Sequence, residues 1–301
     1  MGRLTTIVLG AAAGGGFPQW NCRCEICRLG WERDPRVKAS TQASIAVSAD
    51  AQHWTLLNAA PDLRAQVEAV GALHPRTAPR DSPIAAVVLT GAEVDQVGGL
   101  LCLRERQRFA LYGTSETLGA VAANPIFEVL APDVVTRRTV DVSEPFGLPG
   151  GLRAELFMVP GKAPLYLEGA APQIGVESGA TVGAEFRAGT KRLIVVPGAA
   201  AVTAALRARF ADADVLLFDG TLFTDDEMIR TGTSTKTGRR MGHMSIDGPD
   251  GSLAALSGLA GRRFFIHINN TNPIRVAGSD ERRRVEAAGW GIAEDGMEIV
   301  L

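Results

Sequence analysis

Short apolar, β-branched runs alternate along this chain with stretches of helical character. The runs predict strands at 5–9, 44–48, 53–57, 84–89, 153–158, 174–177, 193–196, 215–218, 263–268 and 296–300. Helices are expected to follow Asp62, Asp95, Ser115, Ala201, Asp225, Pro249 and Ser279, several opened by Ser or Asp caps. The segments 71–83 and 231–243 read as loops. Strands cluster in both halves, and no internal repeat or linker divides them, so 1–301 reads as a single domain. Two sheets packed together with helices outside suit this order; a Rossmann-type sheet is the alternative.

Composition narrows the partners more than the fold. With 301 residues, 46% of them hydrophobic, the chain can bury a sizeable core. A net charge of −2 gives no basic excess for nucleic acid or for an anionic membrane surface. The start, MGRLTTIVLG, reads as a first strand rather than a signal peptide, and no apolar run approaches the roughly 20 residues of a membrane span. A cytoplasmic protein is expected. Oligomeric state is not readable.

Three of the four cysteines fall in NCRCEIC, residues 21–27. Cys22, Cys24 and Cys27 can wrap one soft cation, and zinc, with sulfur at about 2.3 Å, wants a fourth ligand from elsewhere. An iron–sulfur cluster would need a fourth cysteine, and only Cys102 remains. The glycines of LGAAAGGGFPQW lack the dinucleotide spacing and lead into Pro18 and the cysteines, not a helix.

Four further segments place acids or histidines just beyond apolar strands or in loops. VVLTGAEVDQVGGL presents Glu93, Asp95 and Gln96; LLFDGTLF presents Asp219; GRRMGHMSIDG presents His243; FFIHINNTNPI presents His267. Taken singly, each has a plain reading as an acidic turn, a helix cap or a core histidine. The three at strand ends, with Glu93 to Gln96, Asp219 and His267, repeat one geometry, a chemically active side chain at a strand end, while His243 lies in a loop before a helix.

This order resembles the metallo-β-lactamase superfamily, whose first metal motif is H-x-H-x-D-H. The same register here reads Gly91, Glu93, Asp95 and Gln96, so only the aspartate is kept. A later Pro-Gly-His turn matches VPGKAPLY, putting Lys162 at the histidine, while Asp219 and His267 match the last two ligands. Within the superfamily, FPQWNCRCEIC, NAAPDLRAQ, LTGAEVDQVGGLL, VPGKAPLYL, DGTLFTDDEM, MGHMSIDG and HINNTNPI together resemble a family of pyrroloquinoline quinone (PQQ) biosynthesis proteins. The resemblance implies an α+β fold, an αββα sandwich of two mixed sheets. It also implies a structural zinc on Cys22, Cys24, Cys27 and, by position, the amide oxygen of Asn270, with His243 or a water as the open alternative.

For the second site it implies Glu93, Asp95, Asp219 and His267 as metal ligands, with His243 as a further imidazole. So oxygen-rich a set suits ferrous iron or manganese better than a tightly held zinc, and iron is the metal the resemblance implies. The expected chemistry is then an Fe²⁺- and O₂-dependent hydroxylation of the tyrosine ring in the cross-linked Glu–Tyr intermediate of the pathway. Gln96, Lys162, Lys236, Arg239 and Arg240 would meet that substrate's carboxylates. A carrier of PQQ or a precursor, assisting transport to the periplasm, is the alternative, and other PQQ-pathway proteins are possible partners. A hydrolase of the parent fold is disfavoured by the missing histidines.

Overall fold

The computed structural model describes residues 3–301. Its strands are β1 (Thr5–Gly10), β2 (Ser44–Ser48), β3 (Trp54–Leu57), β4 (Ile84–Val88), β5 (Phe109–Gly113), β6 (Val135–Thr139), β7 (Phe146–Gly147), β8 (Arg153–Gly161), β9 (Val176–Ala188), β10 (Lys191–Val196), β11 (Val215–Asp219), β12 (Arg262–Ile266), β13 (Trp290–Ile292) and β14 (Glu298–Val300). They form two mixed seven-stranded sheets, ordered β14-β1-β2-β3-β4-β5-β6 and β13-β12-β11-β10-β9-β8-β7. In each sheet an antiparallel part adjoins a parallel one: β3 to β6 run parallel in the first, β10 to β13 in the second.

The apolar runs follow from burial on both strand faces. Val8, Val47 and Val88 of the first sheet and Leu193, Val195 and Leu217 of the second share the inter-sheet core. Their neighbours point outward under helices. Leu56 and Val87 pack with Leu63 of α2 (Leu63–Ala69), while Ile194 and Phe218 pack with Phe210 of α5 (Ala204–Phe210) and Val285 of α8 (Asp280–Ala287). The result is the αββα sandwich, and the Rossmann-type alternative is excluded.

Every expected strand is present, but the one at 174–177 proves to be only the start of the 13-residue β9. That strand hides in ESGATVGAEFRA because its glycines carry little strand propensity. Gly183 is nevertheless required: a Cβ there would come within 2.4 Å of the Phe157 ring. Among the unexpected strands, β6 carries VTRRT, whose charges suit a sheet edge and mask its identity in the sequence. Ser279 caps α8 as expected, but the helix Ser115–Ala122 is capped by Thr114, not Ser115. A helix not foreseen, α1 (Glu25–Trp31), begins at the cysteines, with Cys24 as its N-cap. Among the described residues, no helix is long and apolar enough to cross a membrane.

Phe218 is fully buried and meets Phe210 and Trp290 edge-on, with ring centroids 6.1 and 6.5 Å away. Phe218→Ala is expected to cost about 3–5 kcal/mol, read from urea unfolding as a lower midpoint with an unchanged slope.

Candidate metal centres

Parallel strands end together, so the residues just past them converge on one edge of the sandwich. From the first sheet, β4 delivers Thr90 to Asp95; from the second, β11 delivers Asp219 and β12 delivers His267. Isolated bridges Gly91–Thr181 and Ala12–Ile268 tie this edge together. His243 arrives from a loop. A 3₁₀ turn at Arg239–Met241 is closed by Gly242 at φ 84°, and Met244 N–H then donates to the Ala199 carbonyl at 2.7 Å. Gly198 faces the imidazole, where an added Cβ would come within 3.1 Å of Cε1.

Asp219, His243 and His267 each bring one ligand atom into a group no wider than 4.8 Å. Asp219 Oδ2 lies 2.7 Å from His243 Nδ1 and accepts the Ala199 N–H at 2.9 Å. The imidazoles stack at 5.2 Å between centroids. Thr221 joins the three: its hydroxyl donates to Asp219 Oδ1 at 2.6 Å and lies 3.1 and 2.8 Å from the Nδ1 atoms of His243 and His267. Asp95 Oδ2 sits 2.9 Å from His267 Nε2. His267 is held at φ 57°, in the left-handed region, which turns its ring back over β11.

Charge around the cluster is arranged for a cation. Burial disfavours the charge on Asp219, but the charge and hydrogen bond of His243 more than offset it, and its pKa is lowered. Burial likewise opposes protonation of His267, yet the bond and charge of Asp95 and the charge of Asp219 raise its pKa above the ordinary value. Two imidazoles and a carboxylate can hold a divalent transition metal, with Asp95 alongside.

The cluster fronts a cavity of about 590 Å³, also lined by Gln96, Lys162, Lys236, Arg240 and Asn269. Three of the expected site residues have other surroundings or partners than the resemblance implies. Glu93 does not join the cluster: one carboxylate oxygen pairs with Lys162 Nζ at 2.9 Å, and both accept the Leu165 N–H at 3.1 Å. Arg239 is exposed and lies outside the cavity lining, because its 3₁₀ turn aims Arg240 inward instead. Gln96 lines the cavity, but its amide is engaged in a capping box with Glu93 and a 3.3 Å bond to Thr90 Oγ1.

The second centre forms where α1 meets the loop after β12. Cys22, Cys24 and Cys27 gather their sulfurs within 4.8 Å, and Asn270 Nδ2 lies 3.2 Å from the sulfurs of Cys22 and Cys27 and 3.9 Å from that of Cys24. Sulfur acceptors draw the N–H end of the amide; a half-turn of the terminal dihedral puts Oδ1 in the same place. The hydrogen bond from Cys24 pulls the Cys27 pKa down to about 7, while the same contact pushes Cys24 upward. Three soft sulfurs and one amide make a four-cornered set suited to zinc. His243, the alternative fourth donor, is committed to Asp219 instead.

Sequence reading missed Thr221, Glu227 and Glu168. The T of DGT stands two residues past a strand-end acid, the only signal any of them left. Glu227 is buried and accepts the Phe223 N–H at 2.7 Å and the Thr271 hydroxyl at 2.6 Å; burial raises its pKa to about 7.

Residues 53–268 match the family described as Beta-lactamase superfamily domain. The chain is 55% identical to coenzyme PQQ synthesis protein B of Methylorubrum populi, over 98% of this chain and 99% of that protein. It is 53% identical to the protein of that name from Rhizobium meliloti, over 99% of this chain and 98% of the other. Among solved structures, the Zn²⁺-bound PqqB from Methylobacterium extorquens superposes with a TM-score of 0.97 at 54% identity, covering 98% of this chain and 99% of that one. A diphosphatase from the PhnP family shares the fold, with a TM-score of 0.70 at 20% identity over 99% of this chain and 97% of that one.

Cys24→Ser is expected to lower bound metal and melting temperature together, as read by elemental analysis and a thermal scan; a variant that keeps its melting temperature would remove the structural reading of this centre. Glu227 gives a pH signature. Its unfolded pKa is near 4.5 and its folded value about 7. The folded chain therefore holds an extra proton between those values, and its stability falls as pH rises through that window. The decline is about 3 kcal/mol, complete above pH 7. Glu227→Gln should flatten that slope in urea titrations at pH 4.5, 6 and 8.

Proposed function

This chain belongs to the coenzyme PQQ synthesis protein B family within the β-lactamase superfamily, and from that premise we propose that it acts in PQQ biosynthesis as an Fe²⁺- and O₂-dependent hydroxylase. Its substrate is the cross-linked Glu–Tyr intermediate, whose tyrosine ring gains oxygen on the way to a quinone-like product. One observation carries the reading: two imidazoles and a carboxylate stand within 4.8 Å at the end of a cavity of about 590 Å³. That donor combination is the one non-haem iron oxygenases use, and it contrasts with the imidazole-rich sites that hold hydrolytic zinc. Zinc is assigned to Cys22, Cys24, Cys27 and Asn270; the related PqqB structure is named as Zn²⁺-bound.

Asp219, His243 and His267 would hold ferrous iron, which when bound would supply the one-electron chemistry that O₂ activation requires. The chain supplies the geometry. Thr221 holds both rings and the carboxylate in one constellation, and Asp95 fixes the far side of His267. One atom of O₂ enters the ring as a hydroxyl, and the other leaves as water with two electrons from an external reductant. Substrate carboxylates are met by Lys236, which among the described residues makes no ion pair, and by Arg240, which shares its charge with Glu168 at 3.1 Å.

Anaerobic Fe²⁺ titration followed by oxygen-electrode measurement with substrate and ascorbate tests the reading. His243→Ala and His267→Ala should each weaken Fe²⁺ binding beyond the roughly 10–100-fold that outer-sphere changes cost, and should abolish O₂ uptake. Lys236→Ala should raise KM about tenfold or more, the worth of one charge-assisted hydrogen bond. Arg239→Ala should leave KM alone. Tight PQQ binding with no O₂ uptake would replace the hydroxylase by a carrier.

A further inference from the structure

The cavity wall carries two pairs of carboxylates, and they are treated differently. Asp95 and Asp219 face imidazoles, which have no fixed charge. Glu93 and Glu168 face Lys162 and Arg240, which do, so that half of the wall is already neutral. The Lys162 ammonium donates to Glu93 Oε1 at 2.9 Å and to the Ala163 carbonyl at 3.1 Å, and it stands 2.8 Å from Glu168 Oε1 as an ion pair. Its side chain is only 13% exposed and that of Glu168 8%, so water screens these pairs poorly. The stem of Lys162 packs against Gly242, next to His243, where an added Cβ would come within 3.1 Å. The cage is therefore adjacent to the metal cluster and built into the same wall.

We propose that the Lys162 ammonium is a resident cation in a second cation site of this cavity, keeping Glu93, Glu168 and the Ala163 carbonyl from binding a divalent ion. The Asp219–His243–His267 cluster is thereby left as the one metal position. The step rests on reading that cluster as a metal centre. It accounts for the withdrawal of Glu93 from the cluster, and it makes the wall's selectivity a matter of one side chain. Removing the ammonium leaves two carboxylates and a carbonyl around a small void, a hard oxygen set of the kind manganese takes.

Mn²⁺ is the probe, titrated into the full-length chain carrying zinc at the cysteines, with free Mn²⁺ counted by its EPR signal. The unmodified chain is expected to bind one Mn²⁺, Lys162→Met two, Lys162→Arg one, and Lys162→Met combined with Glu93→Gln one. Lys162→Gln replaces the methionine variant if circular dichroism shows that the latter does not fold. The proposal fails if removing the ammonium adds no Mn²⁺, if Lys162→Arg gains as much as Lys162→Met, or if the unmodified chain already binds two. The gain tests Lys162; the count in the unmodified chain against His267→Ala tests the cluster. Equal counts in those two would overturn the cluster while the gain at Lys162 is still measured.

Discussion

The segment from His267 to Arg275 has to bury its polar groups and still serve two metal centres, and much of the site follows from how it does so. Asn269, Asn270, Thr271 and Asn272 are each less than 10% exposed. A buried donor or acceptor left alone costs about 1–3 kcal/mol, so each side chain has a partner. Asn269 donates to Thr271, Thr271 to Glu227, and Asn272 to the Gly220 and Thr221 carbonyls. Arg275 is buried beneath the segment, with its guanidinium bonded back to the carbonyls of Ile268 and Asn269 and stacked on Phe17. Desolvation lowers its pKa to about 10, still far above neutrality, so it keeps its charge there. With the backbone fixed this way, His267 can hold φ 57° and Asn270 can face the cysteines three residues later.

The same segment joins the two candidate centres through hydrogen bonds. Asn270 closes the cysteine site, and its neighbour Thr271 reaches α6 (Glu227–Arg230) through Glu227. Asn272 grips the strand end that carries Asp219 and Thr221. The sulfur site, the end of β11 and His267 are thus joined by one hydrogen-bonded segment. Phe17, Ala12 and Cys27 form a small apolar cluster of their own under the glycine-rich loop, and Ala12 bridges Ile268. The glycine-rich loop, which lacks a dinucleotide spacing, packs instead against the sulfur centre.

Much of this architecture was written in local sequence. LIVV and VLLF are legible as strands because both of their faces are buried, and the sulfur cluster is legible because its three members are within six residues. Asp219 and His267 stood out for the same reason: each follows an apolar run directly. What could not be read were pairings over long separations. Glu93 is claimed by Lys162 sixty-nine residues away, and Thr221 serves His267 forty-six residues on. Lys162 was placed by register as a ligand substitute, which its position allows; that it takes Glu93 out of the cluster is a fact of three dimensions. Glycine-poor propensity scales also hid β9, whose glycines serve close packing against Phe157.

The redistribution of charge along the cavity wall is what separates this site from an imidazole-rich one on the same scaffold. A histidine-lined wall is neutral until cations arrive, so it can accept more than one. Here Lys162 and Arg240 bring positive charge covalently to one side, where Glu93 and Glu168 neutralise it. Asp219, fully buried with its carboxylate shared between Ala199, Thr221 and His243, keeps the other side negative. On the proposed reading, a cation is drawn to the Asp219 cluster, while Lys236, which among the described residues makes no ion pair, is left to meet a carboxylate. On that reading, the orientation of an anionic substrate relative to the metal would follow from which side chains carry unpaired fixed charge, before any shape complementarity is invoked.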